Sequence, residues 1–108
     1  MKLPSEIFGQ VIVVHTPEEL GVDQAEEFTD YLPTLERNLI VLDVDSTEVL
    51  DSAGLTALLD VQDTLRAGGG ELKISATNSS NRKILEITRL DQQLEVFDSV
   101  IDAVKSFQ

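Results

Sequence analysis

The sequence predicts an α/β fold, a single domain over residues 1–108 built on a mostly parallel mixed sheet of about five strands with about four helices. Two observations carry this reading. Short apolar runs such as Val11-Ile12-Val13-Val14 and Leu39-Ile40-Val41-Leu42 are unbroken, as in strands covered on both faces. Between them lie stretches whose apolar residues recur at helical spacing, so strands and helices alternate as in βαβ units with right-handed crossovers.

Taken in order, Glu6 to Gln10 closes a short first strand with a turn at Gly9, and Val11–Val14 is the second. His15, the sole histidine, follows as a strand-end residue. Thr16 to Gly21 reads as a loop. Ala25, Phe28, Leu32 and Leu35 then fall at helical intervals, with Asp23 as a plausible cap and Pro33 ending the helix near Tyr31 or kinking it. Asn38 to Asp45 is the central strand. Leu55, Leu58, Leu59 and Leu65 mark the next helix, which Gly68-Gly69-Gly70 stops.

Glu71 to Ala76 alternates Leu72, Ile74 and Ala76 with Lys73 and Ser75, predicting a strand with one wetter face. The polar loop Thr77–Asn81 leads into a helix with Ile84, Leu85 and Ile87 inward. Leu94–Phe97 is a short last strand. Ser99 and Asp102 then open a final helix as a capping-box-like pair, burying Val100, Val104 and Phe107.

Composition narrows the function classes. With 42% hydrophobic and 26% charged residues, the chain has the make-up of a soluble globular domain. No apolar run approaches the ~18 residues of a membrane span, and the first residues carry no signal-peptide core, so a cytoplasmic location is expected. There is no cysteine, hence no disulfide, thiol nucleophile or thiolate metal site. Twenty acidic against eight basic residues give a net charge of −12, which repels a phosphate backbone and speaks against nucleic acid. A basic protein partner would be steered towards such a surface.

The junction Val49-Leu50-Asp51-Ser52-Ala53-Gly54-Leu55 is where strand chemistry hands over to a helix N-terminus, with unpaired N–H groups and a positive dipole end. Either Asp51 or Ser52 could cap that helix. If Asp51 does, the Ser52 hydroxyl is free at the first helical position, where a phosphate could face the same N–H groups. Gly54 in the first turn costs roughly 1 kcal/mol relative to alanine. It would either leave the approach to Ser52 open or relieve crowding against the core.

Asp-Ser-Ala-Gly-Leu after an apolar strand ending in Asp43 resembles the signature of STAS domains, most closely that of bacterial anti-sigma-factor antagonists. The resemblance runs from about Val11 to Phe107, through Gly69-Gly70 and Ile87-Thr88-Arg89-Leu90-Asp91. It implies a phosphorylation-controlled protein-interaction module, not an enzyme, with Ser52 as phosphoacceptor and no cofactor. Its partners would be an anti-sigma factor that is also a serine kinase, and a serine phosphatase. Contacts to the partner are expected from Asp51, Ser52, Ala53, Gly54, Leu55 and Thr56, with Leu20, Asp23, Asn78 and Ser79 alongside. One departure stands out. The family usually carries Gly-x-Leu-Asp in the loop before the first helix; here Leu20 keeps the leucine, Glu18 replaces the glycine and Gly21 falls where the aspartate should be. The alternative within the family is a non-switching subunit of a larger complex, a signalling scaffold or lipid-transport accessory, with Ser52 as a plain helix cap.

Other chemistries lack their parts. Asp43, Asp45 and Asp51 suggest a Mg²⁺ or phospho-aspartate pocket, but a receiver-like domain needs an acidic pair after its first parallel strand, and Val14-His15-Thr16 supplies none. A serine hydrolase would need a Gly-x-Ser-x-Gly elbow and a base for Ser52. Gly68-Gly69-Gly70 lacks the Lys-Ser/Thr of a phosphate-binding loop.

Overall fold

In the computed structural model, which describes residues Met1–Gln108, Ser5–Phe8 (β1) and Val11–His15 (β2) form an antiparallel hairpin about Gly9. The chain continues through Glu19–Leu20 (β3), the helix Val22–Tyr31 (α1), a 3₁₀ turn at Leu32–Thr34, Leu39–Asp43 (β4) and Val49–Leu50 (β5). Then come the helix Ser52–Ala67 (α2), Glu71–Ser75 (β6), Ser79–Ile87 (α3), a 3₁₀ turn at Leu90–Gln92, Glu95–Phe97 (β7) and Val100–Lys105 (α4). The main sheet has the order β1-β2-β4-β6-β7, parallel throughout except for β1. The expected mixed α/β architecture is the one observed. α1 stops at Tyr31, two residues before Pro33, which sits in the 3₁₀ turn where its missing N–H and fixed φ are tolerated.

The apolar runs are continuous because both faces of the sheet are covered. On one face Ile12, Val14, Ile40, Leu42, Leu72 and Ile74 pack against Phe28 of α1, Leu58 and Val61 of α2 and Leu85 of α3. Each such large side chain taken fully out of water contributes roughly 1.5–3 kcal/mol before conformational entropy is counted. On the other face Val11, Val13 and Val41 meet Ala103 of α4, with Val100, Val104 and Phe107 only partly buried around it.

That second face corrects the expectation of a wet side to β6. Ser75 is fully buried and Lys73 is 7% exposed. The Lys73 ammonium donates to the Ser106 hydroxyl at 2.8 Å and its carbonyl at 3.3 Å, and lies 4.2 Å from the centre of the Phe107 ring. A buried lysine persists because its charge is held by these acceptors, by the ring face and by the Glu95 carboxylate at 3.6 Å, and it pins the chain end against the sheet.

Two further expectations are corrected. Ile87 ends α3 at 73% exposure instead of facing the core, where Leu85 of the same helix and Leu90 just beyond it are the buried residues. Asp23 does not cap α1. The N-cap is Gly21, whose N–H donates to the Gln24 side chain at 3.0 Å, while Asp23 is an exposed residue of the first turn.

Candidate functional site

The loop expected over Thr16–Gly21 contains β3, which pairs in parallel with β5 in the register Glu19↔Val49 and Leu20↔Leu50. Each of these two-residue strands is followed by one junction residue and then a helix. The pairing therefore sets Gly21 beside Asp51, and the starts of α1 and α2 next to one another.

Asp51 ties the two starts together. One carboxylate oxygen accepts from the N–H groups of Ala53 at 3.0 Å and Gly54 at 3.1 Å, capping α2. The other accepts from the Val22 N–H at the head of α1, at 3.3 Å. The negative charge thus faces two positive helix ends at once. Gly21 makes this possible: a Cβ there would lie 2.7 Å from the Asp51 oxygen. The glycine in the place of the usual loop aspartate is where the Asp51 carboxylate now reaches.

With Asp51 as cap, Ser52 is the first residue of α2, exposed, and its hydroxyl takes part in no hydrogen bond within the chain. The N–H groups of Ala53 and Gly54, which would otherwise face a phosphate on Ser52, are already occupied. A phosphate there would stand in solvent beside a carboxylate, with less help from the helix end than an open N-terminus offers.

Gly54 is not an opening in the surface. It is buried, and a Cβ would lie 2.0 Å from the Leu20 carbonyl oxygen. The glycine lets the backbone of α2 sit directly on β3. Leu20 is likewise 1% exposed, so it and Gly54 support the site from below and present nothing to a partner. Thr56, Asp23, Asn78 and Ser79 are exposed, and Ala53 and Leu55 partly so.

The segment between β4 and β5 is braced on both sides, by Thr16, Thr47 and Asn81, which carry no signal in the sequence, and by Asp45, which the sequence suggested only for a cation or phospho-aspartate pocket. Thr47 donates to the Pro17 carbonyl at 2.6 Å and shares a buried contact with the Thr16 hydroxyl. Asn81 of α3 donates to the carbonyls of Val44 and Thr47, both at 2.9 Å. Asp45 accepts from the N–H groups of Thr77 and Asn78, each at 2.9 Å, and from the Thr77 hydroxyl. Burial works to raise the Asp45 pKa, but the Thr77 hydroxyl and the two amides outweigh it and hold the carboxyl below its ordinary 3.8. Asn78 itself caps α3, accepting from Ser80 and Asn81 at 2.8 and 3.3 Å. The sequence signal available was the polar run Thr77–Asn81 with Asp45 thirty-odd positions earlier, which has no local pattern.

The three aspartates weighed as a cation site go separate ways: Asp45 to the β6–α3 loop, Asp51 to the helix starts, and Asp43 to His15. The His15 ring lies between Asp43 at 3.0 Å and Glu6 at 3.2 Å, so both its nitrogens are engaged across β1, β2 and β4, and it does not serve Ser52. The arrangement is a braced platform with the Ser52 hydroxyl exposed at its edge, and Thr56, one turn further along α2, is exposed as well.

Known proteins share this arrangement of elements. A protein of Thermotoga neapolitana, provisionally named anti-sigma factor antagonist TM1081 homolog, is 24% identical over 97% of this chain and 96% of its own length. The crystal structure of an anti-sigma factor antagonist from Mycobacterium paratuberculosis superposes with a TM-score of 0.83 at 20% identity, over 97% of this chain and 92% of that one. The Bacillus cell fate determinant SpoIIAA, in its phosphorylated form, does so with a TM-score of 0.69 at 16% identity, over 99% and 100%. Residues 2–103 match the STAS domain, nearly the whole sheet and all the helices that frame Asp51 and Ser52, so the chain belongs to the STAS domain family.

Proposed function

We propose that this chain is a phosphorylation-controlled anti-sigma-factor antagonist, a binding module without catalysis of its own, working in the cytoplasm. In the unphosphorylated state it binds an anti-sigma factor that is also a serine kinase and so frees the sigma factor; a serine phosphatase resets it. The observation that carries this reading is the division of labour at α2: Asp51 takes the cap and Ser52 keeps an exposed, unbonded hydroxyl. Phosphorylation adds close to two negative charges. They would stand beside Asp51, whose carboxylate already holds the local N–H groups, and a partner packed on a neutral hydroxyl would bury a dianion with no donors to receive it.

The test is to incubate the protein with the serine kinases of its own genome and map phosphate by mass spectrometry. We expect it on Ser52 and none in Ser52→Ala protein. Ser46, Ser79 and Ser80 are exposed as well; phosphate on any of them in Ser52→Ala protein at the wild-type level would overturn the assignment.

A second reading drops the switch and makes the chain a static subunit of a larger complex. The occupied N–H groups of Ala53 and Gly54 favour it, since they leave a phosphate poorly neutralised. Full phosphate incorporation without any change in binding would decide for it.

A further inference from the structure

The outer faces of α1 and α2 meet along a cleft of about 410 Å³, lined by Ala25, Glu26, Thr29 and Asp30 from α1 and by Ala53, Thr56, Ala57 and Asp60 from α2. Three alanines make its floor shallow in side chain. Its charged residues are Glu26, Asp30 and Asp60, all exposed, with no base lining the cleft. None of the three belongs to an ion pair of the chain, although Glu27, the neighbour of Glu26 in α1, does. The cleft begins at the helix start described above: Ala53 follows Ser52 directly, and Thr56 lies one turn below Ser52 on the same face.

We propose that this cleft is a docking groove for a cationic helix of the protein partner, laid between α1 and α2 with its lysines or arginines on Glu26, Asp30 and Asp60. This rests on the reading of the chain as a partner-binding antagonist and adds the chemistry of what it binds. Fit and charge both point to such an occupant. A groove between two helices with small residues at its base accepts a third helix by packing ridges into the groove. Glu26 and Asp30 stand at i and i+4, the spacing at which cationic residues repeat along one face of a helix. Three unpaired carboxylates in one concavity repel each other until a basic chain neutralises them, and they steer such a chain to the helix start that carries Ser52. Phosphate on Ser52 adds charge of the attracting sign, so the groove supplies recruitment and alignment, and the exclusion of the partner arises at Ser52 itself.

The test uses a synthetic alanine–lysine helical peptide with its lysines on one face, titrated into ¹⁵N-labelled protein, with a peptide of equal composition and scattered lysines as control. Amide shifts confined to α1 and α2 are expected, with weaker binding of the scattered peptide. The triple variant Glu26→Gln, Asp30→Asn, Asp60→Asn should lose affinity by roughly tenfold or more. Removing three repelling surface charges relieves strain in the fold, and a thermal melt checks this. The variant Glu36→Gln, Asp91→Asn, Asp102→Asn makes the same change of net charge elsewhere and should cost less than about threefold. Shifts spread over the whole acidic surface, or equal losses in the two triple variants, would overturn the groove. In Ser52→Asp protein the peptide should bind at least as well as in wild type; its loss there would also overturn the placement. A kinase assay that leaves Ser52 unmodified overturns the switch and leaves the groove standing, so the two failures are distinct.

Discussion

Ser52 and Gly54 lie two positions apart and are shaped by opposite demands. Ser52 faces solvent with a free hydroxyl, whereas Gly54 is pressed onto the Leu20 carbonyl. Gly54→Ala gains helix propensity of about 1 kcal/mol, but its new methyl group meets a backbone atom that cannot rotate away. Overpacking of this kind costs typically 1–3 kcal/mol, and against backbone the upper part of that range applies. We expect net destabilisation of roughly 2 kcal/mol, read from urea unfolding; a variant as stable as wild type would show that β3 yields easily. Ser52→Asp is the contrasting case. Aspartate suits the first turn of a helix, so stability should change by no more than ~1 kcal/mol. Binding to the kinase identified by phosphate transfer should nonetheless be lost, and unchanged affinity in pull-down or calorimetry would show that charge at Ser52 is not the switch. The motif itself was legible in the sequence. What separated the two residues, the 2.0 Å approach of Leu20, was not, because it depends on a neighbour thirty-four positions away.

Long segments could be read directly: β2 and β4 as unbroken apolar runs, and α2 because its run is long enough to show a helical period. β3 and β5 are two residues each and have none, so the loop reading of Thr16–Gly21 missed the pairing that sets Gly21 against Asp51. Lys73 and Ser75 alternate like a half-exposed strand, yet α4 covers them; periodicity cannot tell water from a later helix as the neighbour of a polar side chain. The same limit hid the role of Asp45, whose carboxylate serves the loop between β6 and α3. Its folded-state pKa is lowered, so the stability it contributes is fully present above the unfolded value and is lost as pH falls through the folded one. Asp45→Asn should therefore cost about 1 kcal/mol at neutral pH, through the loss of charge-assisted bonds to Thr77 and Asn78. The gap to wild type should close below pH 3.8. Parallel acid-unfolding curves, with the gap intact down to the lowest pH, would remove Asp45 from the account.

Across the whole molecule the governing quantity is charge. A net charge of −12 is carried on a body of 30 × 26 × 24 Å. At about 0.01 M salt the screening length is ~30 Å, so every carboxylate feels every other; at about 0.1 M it is ~10 Å, and only near neighbours count. Several local attractions survive that change because they are buried or directly bonded, such as Lys73 with Ser106 and Asp51 with the two helix starts. The long-range term that salt removes is therefore mainly repulsion among acids, which destabilises the compact state. The urea midpoint should rise between these two salt concentrations and level off beyond them. Association with a basic partner should weaken over the same range, since screening removes the steering that the acids provide. The two trends have opposite signs and one origin. A midpoint that falls with added salt would mean that surface ion pairs such as Arg66–Glu71 outweigh the summed repulsion, and the charge would then have to be explained by the fold and not by what the fold binds.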